Sequence, residues 1–413
     1  MTGIAVATVI VLGLIFALGD LKTGGEESRF QETPAAVSKL TPQELRRLAN
    51  DPKSKNRAEI IIQLGRDPGD LNKTVPFLSK LSVQTRDEMA RLASEVALSE
   101  LGTPAGDALR SLMESDDFDD NKAACSAMKW IGKEGSMQYL PQIQDFLLNK
   151  TSGYKRIALF ALQGMGRDAA IESMDGLIVC LKDEDFNAQC SECRVLESLG
   201  PDAMDAEDAL FELLETGNVS ARGWAAICLG SIGPTSSDRD VVTILHDRLK
   251  KAVLAVDYQR LMIALAHLGR EAEIAIPEIR QVLETHNDQI VQAHAAFALW
   301  KVSGETEETL TALKTLFRAP QIAPTAVPLA GRMGKGGVAL IDDIIEMLKS
   351  NDPANREAAT IALGTMGKYA EKSLPALREA QSDKDPIVAS SAKLSIRAIE
   401  DDLTSKKGKR AKD

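Results

Sequence analysis

The sequence predicts an all-α array of about eleven stacked helix pairs, an α-solenoid. Three observations carry that prediction. A phrase ending in glycine recurs along nearly the whole chain at close to constant spacing. Inside each phrase the apolar residues follow a helical period. Aromatic residues make up only 4% of the 413 residues, too few for a β-sandwich but ample for helices packed through Ala and Leu.

The chain begins with an uncharged run of 17 residues, Gly3–Gly19. As a helix rising about 1.5 Å per residue it spans roughly 25 Å, against a membrane core of about 30 Å. Residues 1–19 read as a single membrane anchor or as a cleaved export signal, with Ala17 and Gly19 as the small residues before Asp20, and a buried globular helix is the third reading. The expected localisation is therefore membrane-anchored or exported, and Lys22 and Arg29 beyond the run favour a cytoplasmic body in the anchored case. Residues 20–40, with Thr23–Ala36 reading TGGEESRFQETPAA, form an expected flexible linker.

The array opens at Thr41-Pro42-Gln43-Glu44, a capping box with proline in the first turn. Phrases such as RAEIIIQLG, ALFALQGMG and ATIALGTMG then end at Gly65, Gly102, Gly132, Gly166, Gly200, Gly233, Gly269, Gly304, Gly334 and Gly367. The intervals are 37, 30, 34, 34, 33, 36, 35, 30 and 33 residues. A period in this range marks units that cannot bury their own apolar faces and must stack. Counting back from each glycine, apolar residues recur at −1, −4, −5 and −8, one stripe of a helix. Position −5 is small in Ala97, Ala127, Ala161, Ala264 and Ala362, as close helix approach requires. The glycine itself suits a left-handed C-cap. A second amphipathic stretch precedes each phrase, for example Leu340–Leu348, so each unit reads helix A, tight turn, helix B. The array is expected to cover residues 41–403. Residues 404–413, TSKKGKRAKD, carry five bases and one acid and read as a basic disordered tail.

The formal charge is −11. That balance argues against nucleic acid as a partner, because a phosphate backbone is gripped by a positive surface that releases its counterions.

Asn351–Gly367, NDPANREAATIALGTMG, sets a polar turn before an arginine and then A-x-x-A-L-x-x-hydrophobic-Gly; Asn218–Gly233 is similar. This pattern resembles the bacterial HEAT repeats of the phycobilin-lyase-like type. The resemblance implies a right-handed α-solenoid of HEAT-type pairs whose B helices line a concave face, used mainly to bind protein or peptide partners. The arginine after the turn is found at Arg91, Arg156, Arg222, Arg260 and Arg356. Several units lack it, so an inter-repeat Asp–Arg ladder is expected to be interrupted.

Some relatives of that type are enzymes, which makes a lyase-like or hydroxylase-like enzyme, or an enzyme-assembly factor, the alternative. The hydroxylases hold iron with His-Glu pairs, but none of His246, His267, His286 and His294 precedes a glutamate. Cys190 and Cys193 form a CxxC, yet zinc needs a second pair at short spacing, which is missing. They read, with Cys125, Cys180 and Cys228, as small packing residues. Gly334–Ala339 fits GxGxxA but follows a helix, so it reads as a C-cap and loop. His246-Asp247 reads as surface. No catalytic, metal or cofactor-binding residue is expected.

A binding surface must then lie on the B helices opposite the core, at −3 and −10. These positions are Lys129 and Lys122 in the third unit, Gln163 and Arg156 in the fourth, and Gly230 and Gly223 in the sixth. The eighth unit has one extra residue, giving Trp300 and Ala293, and the tenth gives Gly364 and Glu357. The adjacent −6 row is apolar: Phe160, Ile227, Ile263, Phe297 and Ile361. The candidate partner-binding residues are Lys122, Lys129, Arg156, Phe297 and Trp300, a basic patch followed by an aromatic one.

Overall fold

A computed structural model describes residues 37–183, 186–235 and 238–410. Among these residues every regular element is a helix. The helices fall into A/B pairs: α1 (Pro42–Asn50) and α2 (Arg57–Arg66), α3 (Leu71–Gln84) and α4 (Glu88–Leu101), α5 (Arg110–Met113) and α6 (Phe118–Ile131). Next come α7 (Leu140–Asn149) and α8 (Ser152–Met165), α9 (Met174–Leu181) and α10 (Phe186–Leu199), α11 (Glu207–Thr216) and α12 (Val219–Ile232). The series continues with α13 (Val241–Lys251) and α14 (Ala255–Leu268), α15 (Ile276–Thr285) and α16 (Gln289–Ser303), α17 (Glu307–Leu316) and α18 (Ala323–Arg332). It closes with α19 (Ile341–Met347) and α20 (Pro353–Met366), then α21 (Leu374–Ala380) and α22 (Pro386–Arg410). Short helical turns link several pairs. The expected anchor or signal at 1–19 and most of the 20–40 linker lie outside the described residues. Within the described residues no helix is long and apolar enough to cross a membrane.

The chain divides into two compact units, the break falling between Cys228 and Leu229 inside α12. In the first, α2 packs on α4, α4 on α6, α6 on α8 and α8 on α10. In the second, α14 packs on α16, α16 on α18, α18 on α20 and α20 on α22. Several helix starts are fixed locally. Thr41 and Glu44 form the predicted capping box. Asp87, Asp117, Asp240, Asp288 and Asp352 each accept a hydrogen bond from the first-turn amides of the helix they precede.

Nine of the ten predicted cap glycines have positive φ; the exception is Gly65. It lies inside α2, and a Cβ there would stand 2.7 Å from the Ala97 Cα. The helix is capped at Asp67, and the positive φ, 59°, falls at Gly69 in the turn beyond it. Gly65 belongs instead to a row of helix-to-helix contacts. A Cβ on Gly230 would lie 2.4 Å from the Ala264 carbonyl oxygen, and on Gly331 2.7 Å from the Ala362 Cα. One on Gly364 would lie 2.6 Å from the Ser395 hydroxyl. The small residues at −5 are fully buried, as expected. The −3 glycines rest on the next B helix, so Gly230 and Gly364 do not form an open stripe opposite the core, and Ala293 is buried too.

Charged pairs tie successive repeats. Arg57 donates to Asp87 at 2.9 Å, Lys155 to Asp183 at 2.7 Å and Arg356 to Asp383 at 2.7 Å. Arg91 turns instead to Glu88 and Glu95 of its own helix. Rungs thus come from Arg57 and Lys155, outside the expected arginine row. A second row follows the cap glycines, where Lys133 pairs with Asp168, Arg167 with Asp202 and Lys368 with Asp402.

Two expectations need correction. His246 is buried, not on the surface, with Nε2 2.8 Å from Glu278 Oε2 on α15. Burial works against the Glu278 carboxylate, but the His246 contact holds its pKa below the ordinary value. The sequence showed a polar pair and gave no sign that the neighbouring A helix supplies a carboxylate. The basic tail is also less irregular than expected, because α22 runs on through Arg410. Lys and Arg are good helix formers and suit a helix C-terminus, and the helix carries on past Gly408, a weak former.

Cys125, Cys180, Cys193 and Cys228 are buried free thiols, and Cys228 donates to the Cys193 carbonyl at 2.9 Å. The Cys190 side chain lies outside the description. Among the described residues no cluster of His, Cys, Asp and Glu is arranged to hold a metal. Beside Cys193, Glu192 is fully buried with both carboxylate oxygens unpartnered. Burial, reinforced by Asp183 and opposed by Lys155, pushes its pKa well above the ordinary value.

Two predictions follow from this packing. Gly331→Ala should destabilise by about 1–3 kcal/mol through overpacking against α20. Gly153→Ala, where the nearest atoms are 3.4 Å away at the Phe118 ring, should be neutral or stabilising by up to about 1 kcal/mol. Urea unfolding of the two variants checks the opposite signs. For Glu192, a folded-state pKa above the unfolded one means that the native state holds the extra proton. Stability therefore falls as pH rises above about 4.5 toward the folded value. Glu192→Gln should be more stable than the parent at pH 7, with the gap closing as pH drops to 4; an unchanged gap across that range would refute the assignment.

Candidate functional site

The five candidate residues divide between the two units. Lys122 on α6 and Arg156 on α8 are exposed in the first. Lys129 is half-buried, its ammonium 5.1 Å from the Trp130 ring centroid and 4.7 Å from that of Phe160. Burial, with Arg194 adding and Glu95 opposing, lowers its pKa. Lys129 thus covers an aromatic pair, and Phe160 remains partly exposed beside it.

Phe297 and Trp300 lie on α16 in the second unit, and neither stands open as expected. Phe297 is only 3% exposed. Trp300 is half-buried, its ring tilted 44° to that of Phe297 with centroids 5.7 Å apart. The indole also packs on Gly336, where a Cβ would come within 3.0 Å of Nε1. In register, Trp300 stands where Gly331 and Gly364 stand in their helices, so it faces the next repeat.

Phe297 lines a small cavity of about 100 Å³ across three successive B helices. From α14 come Met262, Ile263, Ala266 and His267, from α16 His294, Phe297 and Lys301, and from α18 Arg332. Met262 and Phe297 are buried and form its apolar floor; His267, Lys301 and Arg332 are exposed on its rim. The Arg332 guanidinium lies 4.7 Å from the Phe297 ring centroid, and the Lys301 ammonium 5.5 Å from that of Trp300. His294 Nε2 is 3.1 Å from Gln259 Nε2. Burial, helped by the charge on Arg332, drives the His294 pKa down to about 4. The imidazole is therefore neutral at pH 7, and the standing positive charge comes from Lys301 and Arg332.

The rim follows a register that the helical projection passed over. His267 and Arg332 are each two residues before their cap glycine, and Lys301 is the matching residue of a helix one residue longer. In these three helices position −3, or its match Trp300, is covered by the next repeat, and the bases reach solvent from −2 in α14 and α18 and from the matching position of α16. Three bases in one register over three repeats were present in the sequence as a signal. On the A-helix side, an open trough of about 870 Å³ runs between α15 and α17. Two of its glutamates, Glu305 and Glu308, are already held by Arg280.

Comparison with known proteins bears on the fold. The family model for HEAT repeats matches residues 42–129 and 321–397. Both segments are similar to HEAT repeats. A search of curated proteins finds no match. Among solved structures, an engineered protein is 21% identical, with a TM-score of 0.39 over 87% of this chain and 98% of its own. YibA of E. coli is 20% identical, with a TM-score of 0.42 over 67% of this chain and 98% of its own. Yeast importin-beta (Kap95p) is 14% identical, with a TM-score of 0.46 over 86% of this chain and 53% of its own. The chain thus spans about half the length of importin-beta.

The depressed His294 pKa gives a direct prediction. The unfolded imidazole takes up a proton near pH 6.5, and the folded one only near 4. The native state therefore holds fewer protons in that window, and stability falls as pH drops through it. In proton NMR the His294 ring resonances should titrate near pH 4; titration at 6 or above would show that the site is open to water.

Proposed function

We propose that this chain is a non-catalytic protein-binding scaffold that uses the B-helix face of its repeats. The observation that carries the reading is the row of His267, Lys301 and Arg332, one base per repeat, above the apolar floor of Ile263 and Phe297. Repetition of one chemistry at repeat spacing suits an extended chain laid across the helices, each repeat meeting the next few residues. In the first unit Lys129 over Trp130 and Phe160, flanked by Lys122 and Arg156, offers a second surface of the same kind. Against an enzyme stands the chemistry of these groups: the bases rest on aromatic rings, and no nucleophile or carboxylate lines the cavity to work with them.

The phycobilin-lyase-like subtype is proposed on the turn, arginine and glycine of 351–367. Tethering at a membrane, or export across one, is proposed on the apolar run 3–19. Neither decides the scaffold reading.

Site-specific photo-crosslinking tests it. With p-benzoylphenylalanine at 267 or 365 on the B helices, irradiation in the native host should give discrete adducts with one or a few proteins. The same probe at 247 or 314 on the A helices should give none. Adducts confined to the A-helix positions, or no adducts anywhere, would sink the proposal.

A further inference from the structure

The cavity between α14, α16 and α18 has a chemistry of its own, and it points to a more specific ligand. Its floor is apolar and its volume, about 100 Å³, admits one small group and not a whole side-chain cluster. The groups around it are donors: Lys301 and Arg332 with fixed charge, and the His267 and His294 rings. No carboxylate is among the lining residues. Lys301 has no ion-pair partner among the described residues; its ammonium is held against the Trp300 ring. That position keeps the charge near the opening at small cost in hydration, because a ring face attracts a cation without neutralising it. Arg332, laid over Phe297, presents a planar fork suited to two-point recognition of an oxyanion.

Resting on the scaffold reading, we propose that this cavity is a carboxylate-binding site that takes an acidic side chain of an extended partner peptide. Lys301 and Arg332 grip the carboxylate oxygens, while Phe297 and Met262 contact the methylenes behind them. The neutral His294 closes the inner wall. Such a site is conspicuous in a chain of net charge −11, which repels acidic peptides at long range. Any affinity for one must therefore arise locally.

The test uses the full chain and two fluorescein-labelled probes, octaglutamate and octaglutamine, read by anisotropy at fixed ionic strength. Octaglutamate should bind and octaglutamine should not. Lys301→Gln and Arg332→Gln should each weaken octaglutamate binding about tenfold or more. Lys250→Ala, on α13 outside the cavity, should leave it unchanged. Circular dichroism establishes that the variants are folded, and both replaced side chains are exposed at the rim. Equal octaglutamate affinity in parent and both variants would overturn the site. Acetate or inorganic phosphate matching octaglutamate in affinity would overturn the peptide assignment and leave a small-anion pocket.

The same variants separate this proposal from the scaffold reading. Crosslinks from position 267 that persist in the Lys301→Gln/Arg332→Gln chain would refute the carboxylate site and leave the scaffold standing. Their loss, with folding intact, would support both.

Discussion

Everything in this molecule depends on how closely one B helix can approach the next. Glycine at one register meets alanine or serine at another, bringing backbones into direct contact at Gly65–Ala97, Gly230–Ala264, Gly331–Ala362 and Gly364–Ser395. Contact at that range excludes water along the helix and multiplies small dispersion terms, in a chain with few aromatic residues to fill space. It also settles which side chains remain available. In the second unit position −3 is spent on stacking, the core takes −1, −4, −5 and −8, and the exposed bases stand at −2.

Charge reinforces the stacking from both ends of the B helices. Arg57, Lys155 and Arg356 bridge to the next repeat near the helix starts, and Lys133, Arg167 and Lys368 do so beyond the cap glycines. The exposed pairs contribute little each. Lys155–Asp183 and Arg356–Asp383 are largely buried, and there removal of one partner strands a charge in the interior. Glu192 shows what the interior does to a carboxyl with no such partner: burial pushes its pKa well above the ordinary value.

Helix pairs, turn positions and caps were legible in the sequence because each is set by local chemistry: an aspartate before the first turn, a 3.6-residue apolar period, a glycine after the last turn. Gly65 was misread because a capping glycine and a packing glycine look alike until the neighbouring helix is placed. The binding surface was harder to read for the same reason. A helical wheel knows which face opposes the core, but not that the next repeat covers part of it. Hence Lys129 proved half-buried and Phe297 became a floor, while His267 and His294 were weighed only as metal ligands and Lys301 and Arg332 went unremarked. His246 shows the limit in another form, since its partner Glu278 lies on the following A helix.

Trp300 occupies, in α16, the slot that α18 and α20 leave to Gly331 and Gly364. An indole there finds its room against Gly336, where a Cβ would come within 3.0 Å of Nε1. The largest residue at a stacking position is thus met by the smallest in the following repeat, so a change of size in one layer is absorbed by its neighbour and need not pass further along the array.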